Sequence, residues 1–137
     1  MITIAAYFGP HRGSLEITEH ILQNAEELLE AQAELQGLAE AAGVHFPVNP
    51  KTGSLVSGAT YGGWRPASCT IGAPGSAHKQ GLAVDLFDPH DEIDAWCMAN
   101  LDVLEACGIY LEHPSKTPGW SHWSVKAPAS GNRVFMP

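Results

Sequence analysis

Cations are scarce in this chain, cysteines are few, and no apolar run is long. Seven Lys plus Arg stand against fifteen Asp plus Glu in 137 residues, a net charge of −8. With no basic stripe to neutralise a phosphate backbone, a nucleic-acid partner is excluded. No segment approaches the roughly 20 apolar residues of a membrane span. The amino terminus, Met1-Ile2-Thr3-Ile4-Ala5-Ala6-Tyr7, lacks a basic start and soon meets Gly9-Pro10-His11-Arg12. A secretory signal is therefore not expected. The three cysteines, Cys69, Cys97 and Cys107, are odd in number and show no Cys-x-x-Cys spacing. They offer neither a disulfide framework nor a thiolate metal site, and reduced thiols are expected. Internal repeats and linkers are also missing, so residues 1–137 read as a single domain, long enough to bury a core.

Histidine, by contrast, is plentiful, with seven copies, and two of them belong to a pattern. Ser76, His78, Gly81, Ala83 and Asp85 form the string S-x-H-x-x-G-x-A-x-D, and Trp120-x-His122 follows downstream. A neutral imidazole, a carboxylate and a second imidazole make a three-ligand set that leaves zinc one open position for water. Structural zinc is normally closed by four protein ligands, so three describe a catalytic ion. Alternation around Asp85 agrees. Leu82, Val84 and Leu86 share one face of a short strand, while Ala83, Asp85 and Phe87 share the other. Small Ala83 leaves space beside Asp85 for a metal, and Gly81 permits the turn back to His78.

The rest of the chain reads as an α+β domain. Thr18 caps a helix that runs to about Ala42, where Gly43 stops it, with Ile21, Ala25, Leu28, Leu35 and Ala42 as its apolar stripe. Glu26, Glu27, Glu30, Glu34 and Glu40 decorate the opposite face, solvated or available for docking. The segment before this helix reads as irregular. A short strand is expected around Leu55-Val56, and residues 59–80, rich in Gly, Pro and Ser, read as a long functional loop. A second helix is expected from Asp91 to Cys107, burying Ile93, Trp96, Cys97, Leu101 and Leu104 and ended by Gly108. Ile109–Glu112 and His122–Lys126 supply further strands. The expected product is a small, mainly antiparallel sheet with packed helices and a metal at one end.

The motif string resembles that of the zinc D-Ala-D-Ala carboxypeptidases and L-alanyl-D-glutamate endopeptidases, which share the hedgehog/DD-peptidase fold. Upstream, Ser57-Gly58 and Arg65 resemble a stretched form of that family's Ser-Gly-x-Arg segment. The ending, Thr117-Pro118-Gly119-Trp120-Ser121-His122-Trp123 and then Ser130-Gly131-Asn132-Arg133-Val134-Phe135, is similar to small phage members. The likeness covers about residues 20–137. It implies that His78, Asp85 and His122 ligate Zn2+ and that the chain hydrolyses an amide bond of a peptidoglycan stem peptide. Phage-like size and ending favour an L-Ala-D-Glu endopeptidase, with a D-Ala-D-Ala carboxypeptidase as the alternative. Such a product is held in the host cytoplasm until lysis or carried on a virion among virion proteins.

One departure stands out. Many relatives carry an acidic general base three residues before the second His, and that position here is Gly119. Glu112 is the replacement expected for moving the proton, with His113 as a weaker choice; a surface glutamate at a strand end is the plain alternative. Arg65 is expected to clamp a substrate carboxylate or steady developing charge. Ser76 braces His78 or the substrate, or is simply a turn residue after Pro74-Gly75. Trp64, Trp120 and Trp123 either line a cleft or belong to the core. Gly119 also motivates a reading of another class: a non-catalytic, zinc-containing cell-wall-binding or virion structural module.

Overall fold

A computed structural model describes residues 1–73 and 75–137. Helices come first. Thr3 caps α1 (Ile4–Phe8), its hydroxyl accepting from Ala6 N at 3.1 Å. The start of the chain is thus helical, contrary to the irregular segment expected. The physical reason is tertiary: a five-residue helix is marginal alone, but Tyr7 and Phe8 are buried, with Phe8 packed 5.7 Å from the Trp64 ring. Helix α2 (Glu19–Ala41) begins where expected, with Thr18 Oγ1 accepting from Ile21 N. Its buried face carries Ala25, Leu28, Leu29, Gln32, Leu35, Gln36 and Ala39, while Ala42 is exposed. Gln32 Nε2 donates to Gln36 Oε1 at 2.8 Å, which offsets part of the cost of burying the two glutamines, while Gln32 Oε1 is buried without a partner. All five glutamates of the opposite face are exposed.

The second expected helix is two: α3 (Glu92–Ala99) and α4 (Leu101–Cys107), broken at Asn100. Asn100 sits at φ −134° and its amide donates to Trp96 O, so the side chain replaces the helical continuation. Ile93, Cys97, Leu104 and Cys107 still reach the core through this bend.

Four strands form one mixed sheet: β1 (Ala83–Phe87), β2 (Tyr110–Glu112), β3 (Trp120–Ser124) and β4 (Val134–Phe135), in the order β1-β3-β2-β4. β3 runs antiparallel to both of its neighbours, β1 and β2, and β4 lies parallel to β2. Both faces of β1 are covered, since Ala83, Val84, Asp85 and Leu86 are all buried. The Leu55-Val56 strand shrinks to a single bridge, Val56 to Leu86, flanking the free edge of β1. Trp64 and Trp123 belong to the core, at 1% and 0% exposure. No helix among the described residues is long and apolar enough to cross a membrane.

Asp94 on α3 is a buried acid. Burial pushes its carboxyl up to about 6 from the ordinary 3.8; Asp88 and Asp91 add to the shift and hydroxyls of Ser121 and Thr117 oppose it. Because the folded value lies above the unfolded one, its stabilising contribution is full below about pH 4 and is lost as pH rises through about 6. Thermal denaturation in buffer free of added divalent cations should show this. Wild type should lose stability relative to Asp94→Asn between roughly pH 4 and pH 7, and parallel curves would refute the assignment.

Candidate metal centre

The antiparallel register of β1 and β3 sets Asp85 directly opposite His122. Both backbone groups of Asp85 point away from β3: its N–H donates to Gly62 O at 2.7 Å and its carbonyl accepts from Ser57 N at 2.8 Å. The pair is therefore of the non-hydrogen-bonded kind, in which facing side chains come closest. His122 Nδ1 lies 2.8 Å from Asp85 Oδ1. His78 arrives from the 3-10 turn Ala77–Gln80 just before β1, with Nε2 3.3 Å from both Asp85 Oδ1 and His122 Nδ1. His78 Nδ1 is 2.8 Å from Gly63 O. Only an N–H can face a carbonyl, so Nε2 of a neutral His78 presents a lone pair.

Three electron-rich atoms thus converge, and only a cation or shared protons can hold them together. Tetrahedral zinc with bonds of about 2.0–2.1 Å separates its ligand atoms by about 3.3 Å. Two of the observed edges, at 3.3 Å, match that size, and the third, His122 Nδ1 to Asp85 Oδ1 at 2.8 Å, is shorter. All three residues are buried, at 3%, 7% and 9% exposure for His78, Asp85 and His122. Burial opposes ionisation of Asp85, but the charge and hydrogen bonds of His78 and His122 outweigh it and hold the carboxyl well below the usual range. For His122, burial disfavours the charged ring, yet the Asp85 hydrogen bond and charge, helped by Glu112, raise its pKa overall.

The centre opens on a cleft of about 570 Å³ whose lining includes Arg65, Ser76, Glu112, Trp120, Lys126 and Phe135. Arg65 is tied to the centre itself, its Nη2 3.4 Å from Asp85 Oδ2 and its Nε donating to Tyr61 O at 2.8 Å. It therefore braces the carboxylate as well as facing the cleft. Burial pushes the Glu112 carboxyl up, while the nearby His122 charge pulls it down and Asp85 adds to the rise; the net is upward. His113 is not among the lining residues. Its Nδ1 accepts from Ser115 N at 3.1 Å and caps the turn Pro114–Lys116, so the ring is engaged in local structure. Ser76 opens the turn that carries His78, but the brace on the His78 ring is Gly63 O. Pro74, placed with Ser76 in a turn by the sequence, lies outside the described residues.

Gly119 has φ +88°, a conformation that L side chains rarely adopt. A glutamate there would strain the loop, while Glu112, on adjacent β2, lines the same cleft. Sequence reasoning missed Gly63 and Tyr7. Trp64 N donates to Tyr7 O at 3.2 Å, and the Tyr7 hydroxyl donates to Ala83 O at 2.9 Å, so α1 clasps both the loop and β1. The Gly62-Gly63 dipeptide was the available signal, since adjacent glycines mark close backbone approach. Phe135 was likewise unforeseen, its ring edge-on to His122 at 5.9 Å.

No protein family, curated protein or solved structure matches the chain.

A Cβ on Gly63 would collide with the Tyr7 carbonyl, whereas one on Gly58 would meet Gly62 N at an ordinary 3.8 Å. Gly63→Ala should displace the carbonyl that orients His78 and weaken divalent-metal affinity by roughly 10–100-fold. Gly58→Ala should change it little. Competition with a chromophoric chelator measures both, and equal affinities would show that the Gly63 bond does not organise the centre.

Proposed function

We propose that this chain is a zinc-dependent peptidoglycan peptidase, with Zn2+ held by His78, Asp85 and His122. The carrying observation is the buried His-Asp-His cluster at an open cleft that Arg65 and Glu112 also line. The motif resemblance to zinc carboxypeptidases and endopeptidases of the hedgehog/DD-peptidase fold supplies the substrate class. Bound there, zinc supplies a Lewis acid for the scissile carbonyl and lowers the pKa of water at its open position.

The chain's own groups complete the chemistry. Glu112 accepts the proton of the attacking water and delivers it to the departing amine, a role that its raised pKa suits. Arg65 keeps Asp85 oriented and offers the rest of its guanidinium to a substrate carboxylate. Trp120 and Phe135 give the cleft an apolar wall, and Ser76 adds a polar contact for the peptide. His113 has no part in this reading. The bond cut is the L-Ala-D-Glu amide; a D-Ala-D-Ala carboxypeptidase uses the same centre with a terminal carboxylate on Arg65. The enzyme acts from the host cytoplasm at lysis or from a virion.

Purified protein should take up about one zinc per chain and cleave stem peptides in a chelator-sensitive way. Mass spectrometry of digested peptidoglycan identifies the bond, and release of free D-Ala would replace the endopeptidase by the carboxypeptidase.

Gly119 supports one competing reading, a non-catalytic zinc module that binds cell wall or virion proteins. Glu112→Gln separates the two. It should retain zinc and fold while the rate drops by roughly 10²–10⁴-fold. Zinc-loaded wild type that is inert on every stem peptide yet binds wall or virion protein would establish the module instead.

A further inference from the structure

A second cluster of acids lies on the far side of β3's entry. Asp88, Asp91 and Asp94 each offer a carboxylate oxygen, all within 4.8 Å of one another. Asp88 and Asp94 are buried, at 2% and 1% exposure. Among the described residues no Lys, Arg or His forms a salt bridge with any of them. Packing three carboxylates this closely without a counter-charge is costly, because burial weakens solvent screening.

Hydrogen bonds account for most of their lone pairs. Asp88 accepts from Ile93 N and Asp94 N at the start of α3, both at 3.0 Å. Asp91 Oδ1 accepts from Gly119 N at 3.1 Å, and Asp94 Oδ2 accepts from the Thr117 hydroxyl at 3.0 Å. One atom is left over. Asp94 Oδ1 is buried and has no hydrogen-bond partner. The Ser121 hydroxyl is close enough to favour the charge but makes no bond of ordinary geometry to it; Ser121 Oγ accepts from Trp123 Nε1. A buried carboxylate oxygen beside two further carboxylates and without a hydrogen-bond donor is an acceptor that a cation could satisfy.

We propose that Asp88, Asp91 and Asp94 bind a hard divalent cation of the Ca2+ type, separate from the His78/Asp85/His122 centre. Ca2+ holds oxygens at about 2.3–2.6 Å, so two of its ligands lie up to roughly 5 Å apart, matching the span of the cluster. Exposed Asp91 leaves the ion open to water, which completes a coordination shell of six to eight. The α3 dipole opposes a cation here, but its roughly half charge is outweighed by three carboxylates. The consequence is mechanical. Thr117 and Gly119 are bonded to two of these ligands, and Asp88 N donates to Gly119 O at 3.2 Å. A cation therefore ties α3 to the turn that delivers Trp120 and His122 into the cleft.

Calcium titration of the full chain by calorimetry, with thermal denaturation in parallel, tests this. Wild type should bind about one Ca2+ with sub-millimolar to millimolar affinity and gain thermal stability as Ca2+ rises. Asp91→Asn and Asp94→Asn keep the acceptors for Gly119 N and the Thr117 hydroxyl, so each should fold and each should lose at least roughly tenfold in affinity. His122→Ala should respond to Ca2+ as wild type does. No binding up to about 10 mM, equal binding by both Asn variants, or loss of the calcium response in His122→Ala would each overturn the proposal.

Discussion

Asp85 and His122 face each other across β1 and β3, and the candidate site depends on that cross-strand pair. Because the backbone of Asp85 bonds outward to Ser57 and Gly62, its side chain meets His122 at the closer type of antiparallel pairing. Strand pairing has a side-chain period of two, so a slip of one residue would turn one of the two to the opposite face. Register is held by the burial of Val84, Leu86 and Trp123. The same packing that makes the core sets how Asp85 and His122 face each other.

The third ligand depends on parts of the chain that carry no metal-binding chemistry. His78 is aimed by Gly63 O, Gly63 is seated against Tyr7, and Tyr7 is held in α1 by burial and by its bond to Ala83 O. The first eight residues thus act on the site through the Tyr7 carbonyl, the Tyr7 hydroxyl and the packing of Phe8 on Trp64. Arg65 continues this layer, bonded at once to Tyr61 O and Asp85 Oδ2. Outer bonds of this kind fix the tautomer and ring orientation of a histidine that can ligate a metal.

Charge is distributed unevenly. The chain is acidic, at −8, yet Arg65 and Lys126 both line the cleft, and among the described residues Glu112 and Asp85 are the acidic side chains that oppose them there. Asp85 is already compensated by two imidazoles and Arg65.

The sequence by itself determined the α+β class and the three residues, His78, Asp85 and His122, that gather into a group able to hold a metal. His78, Asp85 and His122 were legible because their spacing around a strand is a local pattern, and Thr18 announced α2 through its own hydroxyl. Glu112 in the cleft, and His113 outside it, could not be separated by spacing, since neighbours on a strand end differ only in which way the pleat turns them. The helix break at Asn100 is local, made by its side chain's bond to Trp96 O, but the helical start at Ile4–Phe8 and the Gly63 brace on His78 were decided by tertiary structure. Those two depend on contacts between residues distant in the chain, where burial and shared hydrogen bonds outweigh local preference. The acidic triplet shows the same division: three aspartates at intervals of three are visible in the string, but only the fold brings their oxygens within 4.8 Å and leaves one of them buried without a partner.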